Sequence, residues 1–172
     1  MKFTTDRILL GVVVVLAVAL AWVAAGTLEP RITNVGDKAP DFLITTDDGK
    51  AIRLDSFRGK LLVLNFWATW CAGCIEEMPS LDAFQRQFAD KGLVVLTVSV
   101  DRNEKIYRRY LDREKFSFVT ARDPESGISA NYGTFQFPET YIIDRNGNVV
   151  EKVISNQNWL DPDFVSRVRA LL

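Results

Sequence analysis

Cys71 and Cys74 are the only cysteines in the chain, spaced Cys-x-x-Cys within Trp70-Cys71-Ala72-Gly73-Cys74. An apolar run, Leu61-Leu62-Val63-Leu64, precedes them and reads as a buried strand. Behind them Ile75, Met78, Leu81, Phe84 and Phe88 recur at helical spacing. Cys71 is therefore expected where a strand ends and a helix begins. Free N–H groups and the dipole at a helix start favour an anion. A thiolate is such an anion, so Cys71 is expected to have a lowered pKa and to act as the attacking nucleophile. Cys74, one turn further, is placed to close a short disulfide as the resolving thiol, the arrangement that thiol–disulfide exchange requires.

Glu77 lies three residues after Cys74, on the same helix face. Apolar neighbours there would raise its pKa and suit it to exchange the proton of Cys74; the competing reading is a surface charge near a helix start. Glu76 reads as solvated. Pro79, inside the helical pattern, predicts a kink. Asn65, six residues before Cys71, reads as a hydrogen-bonded strand residue. Trp67 reads as a packing residue and Trp70 as a rim residue able to touch a substrate.

The pattern Trp-Cys-x-x-Cys-x-x-Glu-x-Pro, with Phe66-Trp67-Ala68 before it and Phe137-Pro138-Glu139-Thr140 later, resembles the active-site segments of thioredoxin-fold oxidoreductases. It is similar above all to the membrane-anchored TlpA/ResA/CcmG-like branch, from about Val35 to the C-terminus. The resemblance implies an α/β thioredoxin fold, with a mixed central sheet flanked by helices and an added N-terminal β-hairpin. It implies that Pro138 is a cis-proline facing the cysteines, and that Trp70, Phe137, Pro138 and Glu139 contact substrate. A solvated strand-end charge is the competing reading of Glu139. Three departures stand out. Asn65 is neutral where thioredoxins proper carry a buried Asp, Phe137 replaces a small residue, and no proline precedes Cys74. The last leaves the redox direction open.

The chain has 172 residues, is 48% hydrophobic and has a formal net charge of -1. This suits one globular domain with an appendage and argues against a nucleic-acid partner. Histidine is absent, which excludes His-based triads and His-ligated metal or haem. Two thiols are too few for a structural zinc site, and no cofactor is expected.

Residues Ile8 to Leu28 carry no charged side chain. As a helix this run would be about 30 Å long, enough to cross a bilayer core. Lys2 and Arg7 before it predict a cytoplasmic N-terminus and an extracytoplasmic catalytic domain. The competing reading is a cleaved signal peptide, with Val23-Ala24-Ala25 offered to a peptidase. The expected organisation is an anchor over 1–28, a tether over 29–34 and a thioredoxin-like domain over 35–172. The opening Val35 to Phe42 is similar to that of TlpA-like proteins and peroxiredoxins.

Strands are expected at Phe42 to Thr46 and Ala51 to Leu54, around an Asp48-Gly49 turn, and at Leu93 to Val100 and Phe116 to Thr120. Another hairpin, Thr140 to Asp144 with Asn148 to Ile154, is expected around Asn146-Gly147. Helices are expected at Asn103 to Glu114, with Ile106, Tyr107, Tyr110 and Leu111 inward, and at Pro124 to Tyr132. A last one begins at Pro162, capped by Asp161, with Phe164, Val165, Val168 and Leu171 inward.

The expected activity is exchange with protein disulfides, in the reducing direction, with apocytochrome c among the candidate substrates. The resemblance implies a membrane electron donor of the DsbD/CcdA type. Two other classes compete. A peroxiredoxin would place Pro and Thr seven and three residues before its cysteine, where this chain has Leu64 and Ala68. A copper or thiol chaperone could use Cys71 and Cys74 for Cu(I), without support from any histidine.

Overall fold

The computed structural model describes residues 2–27 and 32–172, and within the first stretch side chains from 6 to 23. Leu28 and the first residues of the expected tether, 29–31, lie outside the described residues. The chain divides into two units, Met1–Arg31 and Ile32–Leu172.

The first unit contains helix α1, Lys2–Thr27. Its segment Asp6–Val23 has a mean hydropathy of 2.3. Length and composition make it long and apolar enough to cross a membrane. Within 8–23 its apolar residues are distributed all around the axis.

The second unit is built on a five-stranded sheet of order β5-β4-β3-β6-β7. Its strands are β3 (Leu61–Trp67), β4 (Leu93–Ser99), β5 (Val119–Arg122), β6 (Glu139–Ile143) and β7 (Val149–Ile154). Parallel pairing joins β3, β4 and β5, while β6 pairs antiparallel with both β3 and β7. All seven residues of the central strand β3 are buried, which explains its continuous apolar sequence. Asn65 is the one polar residue in it.

Alternate residues of β3 serve two cores. Leu61, Val63 and Trp67 meet Met78, Leu81, Phe84 and Phe88 of α2 (Ala72–Phe88). The same core takes Tyr107 and Tyr110 of α3 (Glu104–Glu114) and Phe164 and Val168 of α5 (Pro162–Arg169). Leu62, Leu64 and Phe66 face Tyr132 beside α4 (Gly127–Asn131) and the small hairpin β1 (Leu43–Thr45) and β2 (Ala51–Arg53). Asp47 fastens this hairpin to the main sheet, accepting bonds from Tyr107 and from the Thr120 hydroxyl. The aromatic cluster of Phe84, Phe88, Trp159 and Phe164 holds α2 against α5. Truncating one such ring would cost about 3–5 kcal/mol.

Several elements differ from the sequence expectation. Residues 32–34 are folded rather than tether: Thr33 is buried and its N–H bonds the Tyr132 carbonyl at 3.0 Å. Strand β5 starts at Val119, because Phe116 and Phe118 stack on each other at 4.7 Å as core residues before the strand. Helix α4 is shortened by Ser126, whose φ of 58° is left-handed. Ile106 is exposed, since Tyr107 and Tyr110 occupy the face of α3 that meets the core. Leu171 lies beyond the end of α5 and is exposed as well.

Candidate functional site

The active-site segment begins where β3 stops. Trp67 is the last strand residue, and Ala68 to Cys71 form the turn into α2. Cys71 is the N-cap of α2, with extended backbone, and its Sγ accepts from the Cys74 N–H at 3.2 Å. The two sulfurs are joined in a disulfide. Cys74 is fully buried, whereas Cys71 is partly exposed. Only Cys71 is therefore open to a partner, and the donor that now faces its sulfur would face a thiolate after reduction.

A buried aspartate outside the motif holds this turn in place. Asp101, 2% exposed, accepts from the Thr69 N–H at 2.8 Å and the Thr69 hydroxyl at 2.7 Å. Ser99 Oγ also donates to it, at 2.7 Å. Asp101 thus ties the end of β4 to the residue beside Trp70. Sequence reasoning missed it, although a signal exists: a lone carboxylate closes the apolar run of β4, at the carboxyl end of a parallel strand, where sites of open α/β sheets gather.

Glu77 sits one turn below Cys74 and is only 2% exposed. Its Oε1 accepts from Asn65 Nδ2 at 2.9 Å, and its Oε2 from the Gln157 N–H at 3.2 Å. Asn65 Nδ2 also donates to Thr140 Oγ1 at 2.8 Å. The carboxyl is therefore linked to β3, to β6 and to the loop after β7. Burial dominates its electrostatics and pushes the pKa up to about 7, against the opposing pull of Gln157, Asn65 and, without a hydrogen bond of normal geometry, Trp159. A carboxyl poised there can both take and give a proton at neutral pH. The loop that reaches it, 155–158, carries no spacing or motif that would single it out in the sequence. Asn156 bonds Glu76 at 3.0 Å, so Glu76 is exposed but tethered.

Phe137 and Pro138 reach the same end of the sheet. Glu139 lies opposite Phe66 in the register, which puts Pro138 just beyond the last bonded pair, beside the end of β3. The Phe137–Pro138 peptide is cis. The Phe137 ring meets Trp70 edge-on at 5.9 Å, and Trp70 itself is 68% exposed. The Pro138 carbonyl accepts from the Ser155 N–H at 3.0 Å.

Glu139 does not fit the expected substrate contact, nor the reading as a solvated charge. It is fully buried, ion-paired with Lys152 at 2.8 Å and bonded by the Tyr141 hydroxyl. Breaking such a buried pair by removing one partner costs about 3–5 kcal/mol, so Glu139 holds β6 to β7. Its sequence position beside Pro138 gives no sign of which way the side chain turns.

A strand-ending Cys-x-x-Cys disulfide at a helix start, with one exposed and one buried sulfur, on a mixed sheet flanked by helices, defines a thiol–disulfide oxidoreductase of the thioredoxin fold. Residues 35–152 match the AhpC/TSA family, and the chain belongs to it. It is 33% identical over 124 residues to a thiol-disulfide oxidoreductase ResA of Bacillus cereus, covering 72% of each chain. It is 40% identical over 114 residues to the thioredoxin-like protein YneN of Bacillus subtilis (strain 168), covering 65% of this chain and 66% of that one. A crystal structure from Chlorobium tepidum, described as a thiol:disulfide interchange protein DsbE, superposes with a TM-score of 0.71 at 28% identity. That match covers 81% of this chain and 95% of the other.

The raised pKa of Glu77 has a consequence for stability. Between the ordinary value of 4.5 and about 7, the folded chain keeps a proton that the unfolded chain has lost. The stability from this group is thus fully present below pH 4.5 and is lost as pH rises through about 7, by about 3 kcal/mol in all. Glu77→Gln removes that loss. In urea unfolding at pH 5 and pH 8, the variant is expected to gain on the parent at the higher pH. In the reduced protein, the same change should shift thiol alkylation to lower pH and slow disulfide exchange near neutrality by up to about 10²-fold. Parallel pH dependence of parent and variant would show that Glu77 does not titrate in this range.

Proposed function

We propose that this oxidoreductase is a membrane-anchored, extracytoplasmic reductant of protein disulfides, with apocytochrome c as its client in cytochrome c maturation. The observation that carries the reading is a Cys71–Cys74 pair of which only Cys71 is reachable, above the buried, hydrogen-bonded carboxyl of Glu77. In the reduced protein the Cys71 thiolate attacks the partner disulfide. A mixed disulfide forms, and the first partner sulfur leaves as a thiolate. The Glu77 carboxylate takes the proton of Cys74, and Cys74 attacks the Cys71 sulfur. The second partner sulfur leaves, and the Cys71–Cys74 disulfide is formed; two electrons have passed to the partner. Trp70 and Phe137 form the apolar rim against which the partner chain lies, and Pro138 shapes the backbone opposite the disulfide. Returning the pair to dithiol requires two electrons, for which a membrane donor of the DsbD/CcdA type is the matching source.

Localisation follows from α1. With Lys2 and Arg7 retained on the cytoplasmic side, the domain from about residue 35 stands outside the membrane. The organisation is an anchor over about 1–28 followed by the thioredoxin-like domain. The protein should resist alkaline extraction from membranes with its N-terminus intact; a mature chain starting at Gly26 would instead identify a cleaved signal.

The trapping experiment tests the chemistry. Cys74→Ser should accumulate a mixed disulfide between Cys71 and a partner on non-reducing gels, and Cys71→Ser should accumulate little. Equal trapping by both would overturn the assignment of the nucleophile.

The client is tested in the cell. A deletion strain should lose covalently bound c-type haem, and an added thiol reductant should restore it. Normal c-type cytochromes in that strain would exclude this client.

A further inference from the structure

Next to Trp70, the neighbour of Cys71, a groove is lined by Trp70, Phe137 and Ile106 of α3 with Val100, Asp101 and Asn103; the buried Asp101 carboxylate is already engaged by Thr69 and Ser99. Ile106 is 51% exposed although it sits on an amphipathic helix. Arg102 belongs both to this groove and to the next depression, which is lined by Lys105 and Arg109 on the outer face of α3. The two are therefore one continuous surface.

Its charge differs from that of the chain, whose net charge is -1. Arg102, Lys105 and Arg109 are exposed and have no ion-pair partner among the described residues. Of the two carboxylates in the outer depression, Glu104 is already shared between Arg108 at 2.9 Å and Arg122 at 3.0 Å. The other, Asp112, lies one turn beyond Arg109 and leaves Arg102 and Lys105 without a neighbouring free carboxylate in the depression. The helix start is not the source of the positive potential, because Asn103 Oδ1 already accepts from the Lys105 and Ile106 N–H groups.

We propose that this surface receives an acidic segment of the polypeptide that is disulfide-linked to Cys71, with an apolar side chain against Ile106 and Trp70 and carboxylates against Arg102, Lys105 and Arg109. The proposal rests on the reading that protein disulfides are the substrates. Lys105 and Arg109, four residues apart on α3, are separated by about 6 Å at the helical rise, a span covered by about two extended residues. The flank of the reactive cysteine is the segment that would meet this face, because Arg102 lines the same groove as Trp70, the chain neighbour of Cys71. A polypeptide fits better than another anion, because the basic face opens into a groove that ends at Trp70, next to the reactive sulfur. Unpaired cations along such a path raise the encounter rate with an acidic chain and are screened by salt.

The test uses the full-length protein in neutral detergent, reduced in advance and freed of reductant. It is mixed with short synthetic peptides, each with one internal disulfide and one leucine beside a cysteine. One peptide carries glutamates on its flank and the other lysines. Each turnover converts the Cys71–Cys74 dithiol to a disulfide and the peptide disulfide to two thiols, and acid-quenched mass spectrometry follows both. The acidic peptide is expected to react about tenfold faster at low salt, and the two rates to converge at about 1 M salt, where the Debye length is about 3 Å. The triple substitution R102E/K105E/R109E is expected to invert the ratio; a ratio is read because a general loss of activity would cancel in it. Equal rates for the two peptides at low salt would overturn the proposal and leave the basic face to another anionic surface, such as lipid headgroups. An unchanged ratio in the triple variant would overturn it too. Failure to reduce hydroxyethyl disulfide, an uncharged control, would instead count against the reductant reading itself.

Discussion

One buried carboxyl organises the catalytic end of the molecule. Glu77 leaves water on α2 and meets Asn65 of β3 and the Gln157 N–H after β7. Asn65 carries the connection to Thr140 of β6. Helix, central strand, neighbouring strand and closing loop are thus joined at one group that is costly to bury charged. The cost is met by protonation below neutrality rather than by a cation, which distinguishes Glu77 from Glu139, where Lys152 supplies the counter-charge. Two buried glutamates near the same end of one sheet therefore have different physical characters. One can titrate near neutrality beneath a redox pair; the other fastens strands.

The sulfurs depend on a second anchoring. Seven buried residues of β3 fix the direction from which the chain enters the turn, but a turn can place Cys71 only as well as its own backbone is held. Asp101 holds it through the Thr69 N–H and hydroxyl. Its own place is stabilised by the Ser99 hydroxyl, which donates to its carboxylate and accepts from its N–H. Trp70 can then stay exposed against Phe137 without the helix start losing its position. Rigid attachment on the inner side and an open aromatic rim on the outer side are what a thiol needs to meet large, varied partners.

Membership of the AhpC/TSA family does not by itself distinguish peroxide from disulfide chemistry. The residues beside the cysteine do so better. Leu64 and Ala68 stand where a peroxidatic cysteine would be preceded by proline and threonine. A second sulfur three positions on is bonded to the first, and the similar proteins include one named as a thiol-disulfide oxidoreductase. Exchange between sulfurs accounts for both cysteines.

Much of this is legible from sequence because it is governed by short-range patterns. The Cys-x-x-Cys spacing, the apolar run of β3 and the helical periodicity after it place a thiol at a strand–helix junction. Asn146-Gly147 marks the turn between β6 and β7, with Gly147 at a φ of 83°, and Asp161 marks the start of α5 through bonds to two N–H groups. Periodicity also indicates Tyr107 and Tyr110 as core residues. What it leaves open is which of several polar groups face inward. Ile106 looks like core and is rim; Glu139 looks like rim and is core; Gln157 is not distinguished from ordinary loop residues, and Asp101 is marked only by its place at the end of an apolar strand. These outcomes depend on groups distant in the chain: Thr69 lies 32 positions from Asp101, and Glu77 lies 80 from Gln157. Burial of a charge is decided by whether such a partner arrives, and only the folded chain brings it there.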